Sequence, residues 1–264
     1  MTKVVCCISG KGGVGKSTTA INLGLALHQY GKNTAVLDAN LTTPNVGVYL
    51  GVPKVPVTIH HVLNDNRKKL NKAIYEHNSG LKVIPGDLSV GKLNNLKIDK
   101  LKSVVADVEG LLDYLVLDGA AGLGKEAASA LDACDSVLIV TNPELAAVTD
   151  ALKTVEVVKK MRKQVLGVVL TRSRKDDVDL GIKEVEEMLE YPILGMIPED
   201  KNIRKASSKG FPILHKYPNS EASIGYKKLA AKLLGEEYID MTPPIKKKEH
   251  LIRDLLRVFG FKSR

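Results

Sequence analysis

Ser9-Gly10-Lys11-Gly12-Gly13-Val14-Gly15-Lys16-Ser17-Thr18-Thr19 decides the reading of this chain. The stretch fits the pattern G-x-x-x-x-G-K-[ST], with Gly10, Gly15, Lys16 and Ser17 in register. Glycine serves a physical purpose here. Backbone N–H groups converge on phosphate oxygens only where no Cβ intrudes, and Gly10, Gly12, Gly13 and Gly15 leave that room. Val14 and Thr18 complete the binding stretch. Lys16 is placed to reach the β- and γ-phosphates, and the Ser17 hydroxyl to ligate Mg²⁺. An apolar run from Val4 to Ile8 precedes the loop, and a helical pattern from Ser17 to about Tyr30 follows it. Phosphates held there meet a helix N-terminus and its partial positive charge.

Outward from the loop, the chain alternates strand and helix. Strand-like apolar runs lie near 3–8, 33–38, 81–85, 114–118, 136–141, 165–170 and 193–197. Helical patterns lie between most of them, notably near 17–30, 97–113, 144–163 and 179–190. Continuous apolar strands separated by helices predict a parallel sheet covered on both faces. With right-handed crossovers this is an α/β, doubly wound fold, and a nucleotide binds beyond the carboxyl ends of its strands. The loop, Asp38 and Asp118 all fall at such ends, so they can converge. Both aspartates have a plainer reading as turn formers or helix caps.

Lys11 narrows the class, because an ordinary phosphate loop needs no lysine directly after its first glycine. Lys11-Gly12-Gly13-Val14-Gly15-Lys16 resembles the deviant Walker A motif of the MinD/ParA family of P-loop ATPases. Leu115-Val116-Leu117-Asp118 resembles its Walker B strand, and Val36-Leu37-Asp38 the strand that leads into its first switch. Gly119-Ala120-Ala121-Gly122 lies where its second switch falls. Thr141-Asn142-Pro143-Glu144 and Ile197-Pro198-Glu199-Asp200 are closer to MinD than to ParA. The likeness spans nearly the whole chain. It implies ATP and Mg²⁺ as ligands, with Ser17, Asp38 and Asp118 serving the metal. It implies a homodimer in the ATP state, with Lys11 reaching the partner's phosphates as an arginine finger does in trans. It also implies an unidentified regulatory protein. The base falls to the segment after strand 165–170, where Arg172 either stacks on adenine or is a surface arginine, and to Pro198, Glu199 and Asp200. No Asn-Lys-x-Asp guanine-reading motif occurs in the chain.

Two departures from the family pattern matter. MinD proteins usually read Asp-x-Asp in the first switch, and here the stretch is Asp38-Ala39-Asn40. Asn40 can donate and accept hydrogen bonds but cannot take a proton as a carboxylate does. Phosphoryl transfer rests mostly on positioning and electrostatics, so the expectation is slow hydrolysis rather than none. Ala120 stands where the family favours proline, which puts the stiffness of the second switch in question.

Composition sets the frame. The chain has 264 residues, 44% hydrophobic and 26% charged, an ordinary balance for one α/β domain. No apolar run approaches the roughly 18 residues needed to span a bilayer, and the N-terminus does not read as a signal peptide. Cys6, Cys7 and Cys134 make no disulfide framework and no Cys-x-x-Cys, which argues against the related iron–sulfur carriers. They read as small buried apolar residues, with Cys6 and Cys7 on opposite faces of one strand.

The tail carries a second signal. The reading divides the chain into an ATPase domain at 1–235, a linker at 236–244 ending in Thr242-Pro243-Pro244, and an amphipathic helix at 245–264. Turning about 100° per residue gathers Ile245, Leu251, Ile252, Leu255, Leu256, Val258 and Phe259 on one side. Residues 245–264 hold seven Lys/Arg and two acidic residues, a net +5 of the chain's +9. Charge beside an apolar face suits an interfacial membrane helix on an anionic leaflet. The segment also resembles the membrane-targeting helix of MinD. It has a plainer reading as a last helix packed on the domain or on a partner. The expectation is a cytoplasmic protein, peripheral on the inner face of the membrane in its ATP state. Two alternatives stand beside it. One is a ParA-like protein binding DNA non-specifically through Lys159–Lys163, Arg172–Lys175 or Lys201–Lys209. The other is a slowly hydrolysing, nucleotide-locked scaffold.

Overall fold

Side chains on a strand alternate between two faces, and in this chain both faces are apolar. Val4, Cys6 and Ile8 enter one buried cluster, while Val5 and Cys7 enter another. The same division holds for Leu115 and Leu117 against Val116, and for Val137 and Ile139 against Leu138 and Val140. One sheet therefore separates two cores. The computed structural model describes residues 1–52, 54–65, 67–89, 96–174 and 178–238. The tail residues singled out above, Leu251, Ile252, Leu255, Leu256 and Phe259, lie outside them.

The strands are β1 (Lys3–Ser9), β2 (Thr34–Asp38), β3 (Tyr75–Glu76), β4 (Lys82–Ile84), β5 (Tyr114–Ala121), β6 (Ser136–Thr141), β7 (Gln164–Ser173) and β8 (Ile193–Pro198). Their order across the sheet is β3-β4-β2-β5-β1-β6-β7-β8. Every neighbouring pair is parallel except β3 with β4. The doubly wound sheet expected from the sequence is present, with the short antiparallel edge strand β3 added.

The helices are α1 (Lys16–Gln29), α2 (Val46–Tyr49), α3 (Ile59–Asn64), α4 (Leu101–Val105), α5 (Lys125–Ala133), α6 (Leu145–Lys160), α7 (Ile182–Leu189), α8 (Lys201–Ser207), α9 (Ile213–Lys216) and α10 (Glu221–Leu234). The helix expected over 97–113 is instead α4 flanked by two 3₁₀ turns. Leu101, Val105 and Val108 all bury in one cluster, so packing rather than a continuous helix organises that segment. Helix α10 closes the other face, with Tyr226 and Leu229 buried beside residues of α1. It ends at Gly235, whose φ of 71° suits a glycine after a helix.

β1 sits between β5 and β6, and the chain winds away from it in both directions. The loop that leaves β1 thus stands in the crevice where ligands bind in such sheets.

Candidate functional site

The loop between β1 and α1 is shaped by its backbone. Gly15 precedes the helix at φ 86°, a left-handed conformation that side chains resist. A Cβ on Gly10 would stand 2.3 Å from the Asp150 carbonyl oxygen of α6, so only glycine allows that approach. The Ser9 hydroxyl donates to the Lys11 carbonyl at 3.0 Å. The Thr171 hydroxyl of β7 donates to the Val14 carbonyl and lies 2.9 Å from Asn142 Oδ1, tying the loop to two further strand ends.

Beneath the loop, Lys16 Nζ lies 2.7 Å from Asp118 Oδ1. The two residues are 7% and 0% exposed. Burial works against the lysine's charge, but Asp118 outweighs it and raises the Lys16 pKa. Burial raises the Asp38 pKa well above the usual carboxylate range, and neighbouring Asp118 adds to it. Asp38 is held by backbone donors: the Val46 N–H reaches Oδ2 at 2.9 Å and the Asn40 N–H reaches Oδ1 at 3.3 Å. Both its oxygens therefore close the loop over 39–45.

Asp118 Oδ2 is different. It is buried and finds no hydrogen-bond partner among the described residues. Buried polar atoms of this kind normally have one. A magnesium ion that keeps part of its water shell fits this need. Ser17 and Asp118 are the residues that would hold it, Ser17 lining the cavity above.

That cavity, about 710 Å³, is walled by Gly12, Gly13 and Gly15–Thr18, by Asn40, Thr42, Thr43 and Asn45, and by Gly124–Ala127. The wall over 40–45 is fastened by side chains. Asn40 Nδ2 donates to the Thr43 carbonyl at 2.6 Å, and the Thr43 hydroxyl donates back to Asn40 Oδ1 at 3.1 Å. The Thr42 N–H donates to Glu126 Oε2 at 3.2 Å, and its hydroxyl to Oε1. His60 Nε2 meets the Leu41 carbonyl at 2.7 Å, while Nδ1 accepts the Asp87 N–H at 3.0 Å. Burial lowers the His60 pKa, which suits a neutral ring with one donor and one acceptor. The second switch continues β5 as far as Ala121, and the Gly122 N–H donates to the Ser9 carbonyl at 2.9 Å.

Arg172, at φ 53°, borders this cavity and also a second one of about 1050 Å³. Glu199 and Asp200 line the second, with Lys201, Asn202, Arg204 and the start of α10. Glu199 is held by Arg174, and Asp200 caps α8 by accepting the Asn202 N–H at 2.8 Å. Pro198 ends β8 and lines neither cavity. The Lys11 ammonium lies 3.6 Å from Glu144 of its own chain, a half-exposed pair. The cysteines are free and buried, and burial pushes the Cys7 thiol up to about 12.

Sequence reasoning missed Thr42, Lys125, Glu126 and His60. Glu126 meets Thr42 across 84 positions, and no local pattern announces such a contact.

Fold and site together define a P-loop NTPase of the deviant Walker A kind. A sequence profile described as "ParA: NUBPL iron-transfer P-loop NTPase" matches residues 1–234. An uncharacterized ATP-binding protein of Methanocaldococcus jannaschii is 36% identical over 261 residues, covering 98% of each chain. The septum site-determining protein MinD of Pyrococcus horikoshii, solved as a complex with Mg-ADP, superposes with a TM-score of 0.84 at 33% identity. That alignment covers 88% of this chain and 96% of the other. MinD in a MinC:MinD complex of Aquifex aeolicus gives 0.76 at 29% identity, over 92% and 99% of the two chains. The chain belongs to the ParA/MinD family of P-loop NTPases.

Proposed function

We propose that this protein is a MinD-like ATPase that binds Mg-ATP, dimerises on it, attaches to an anionic membrane through residues 245–264 and leaves on hydrolysis. In that reading it positions a cell-division site or another cellular structure. The observation that carries the reading is the buried Lys16–Asp118 pair beneath the phosphate loop, with Asp118 Oδ2 unpartnered beside it. A site built this way suits triphosphate and magnesium. Lys16, Lys11, Asp38 and Asn40 carry the chemistry, the last with reduced turnover. Arg172 joins the phosphate cavity to a second one where the base would sit. The tail adds no chemistry. One short helix binds a bilayer weakly, and a dimer presents two at high effective concentration.

Among the described residues no helix is long and apolar enough to cross a membrane. The three cysteines are buried, and the chain has no Cys-x-x-Cys, which weighs against iron transfer. A DNA-binding reading is favoured by one observation. Lys201, Arg204, Lys205 and Lys209 are exposed on and after α8. By contrast, the patch at 159–163 is partly engaged, with Lys159 on Glu190 and Lys163 on two backbone carbonyls.

Co-sedimentation with anionic liposomes tests the proposal, in ADP and in ATP with Mg²⁺, for the full chain and a truncation ending at Pro244. The expected result is ATP-dependent binding that the truncation abolishes. Binding in neither nucleotide would remove the membrane step, and DNA retention would then be measured.

A further inference from the structure

The cavity over the phosphate loop contains more positive charge than the family motif accounts for. Its ionised lining residues are Lys16, Lys125, Arg172 and Glu126. Lys16 is already held by Asp118. Glu126, the one carboxylate lining it among the described residues, accepts two hydrogen bonds from Thr42. Lys125 is exposed and has no ion-pair partner among the described residues. Asn40 lines the same cavity and contributes no charge.

Strand order says which end of a nucleotide this lysine would meet. Arg172 lies next to the last residue of β7, and the second cavity lies beyond it toward β8. The phosphate loop leaves β1 at the centre of the sheet. Lys125 follows β5, on the side of β1 away from β7. A nucleotide laid with its base toward β7 and β8 therefore points its phosphate chain toward β5 and β2. Its last phosphate arrives between the loop at 40–45 and the start of α5.

We propose that Lys125 is a triphosphate-selecting residue, whose ammonium contacts the terminal phosphate of the bound nucleoside triphosphate. The assignment rests on the nucleotide-binding reading above. A lysine acts on phosphate as a compact point charge, so an arginine should substitute in part. A diphosphate ends short of it and should not feel its loss.

The test is isothermal titration of the full chain with ATPγS and with ADP, both with Mg²⁺, in wild type, Lys125→Ala, Lys125→Arg and Lys16→Ala. Lys125→Ala should weaken ATPγS binding about tenfold, the scale of one charge-assisted contact, and leave ADP within about twofold. Lys125→Arg should recover most of the loss. Lys16→Ala should weaken both ligands. Unchanged ATPγS affinity in Lys125→Ala, or an equal loss for ADP, overturns the inference while nucleotide binding stands. A wild type that binds neither ligand overturns both. Lys125 is exposed, so the variant is expected to fold as wild type does, and a thermal melt checks this.

Discussion

Two loops face each other across the phosphate cavity, and they are held by opposite means. Residues 10–15 are fixed by backbone conformation, by close approach to α6 and by the Thr171 hydroxyl bond from β7. The Lys16–Asp118 pair lies buried beneath them. Residues 40–45 are fastened largely by side-chain hydrogen bonds, several of them exposed: Asn40 with Thr43, Thr42 with Glu126. Solvent competes with such bonds, so each contributes on the order of 1 kcal/mol or less. The first loop is a preformed cradle. The second is a wall whose outer bonds are open to solvent, while Leu41 and its bond to His60 stay buried.

The comparison breaks most visibly at the buried pair. Lys16→Ala leaves Asp118 uncompensated in the interior, and the protein without nucleotide should lose roughly 3–5 kcal/mol in urea unfolding. A loss below about 1 kcal/mol would mean that the pair is open to water. Next in size is a contrast within the cradle. Gly10→Ala drives a methyl group into the Asp150 carbonyl and should cost about 1–3 kcal/mol. Gly12→Ala meets nothing within 4 Å and should stay within about 0.5 kcal/mol. Equal costs would show that the cradle is not held by its contact with α6. A small effect on stability is also expected at the opposite wall. Asn40→Asp keeps the acceptor for Thr43 but removes the donor to its carbonyl, and should change global stability by less than about 1 kcal/mol. Hydrogen exchange of the 40–45 amides should nonetheless quicken, and ATP turnover should rise. Unaltered exchange and turnover together would remove Asn40 from any switching role.

Much of this was legible in the chain. The cradle lies within the consecutive stretch Ser9–Thr19, and the seven-residue strand β1 announces itself by an apolar run. Asp118 was readable 102 positions from Lys16, because an apolar run ending in aspartate is a local pattern. The edge strand β3 was not readable. It is two residues long and exists only through pairing with β4. Helix α5 was not among the elements read, since Lys-Glu-Ala-Ala-Ser-Ala-Leu-Asp-Ala has only a narrow apolar face. The helix read over 97–113 was too long, because burial of Leu101, Val105 and Val108 is met by a broken turn as well as by a regular one.

By itself the sequence determined the class of fold, the phosphate cradle and the aspartates at the strand ends, because each is encoded by neighbours along the chain. Only the tertiary structure decided which groups are already engaged. Asp38 holds a loop, Glu126 grips Thr42, and among the described residues Asp118 keeps one oxygen unpartnered and Lys125 has no counter-charge. The physical reason is that pairing depends on distance in space. It is set by how β1, β2 and β5 lie side by side and by where the loops beyond them meet.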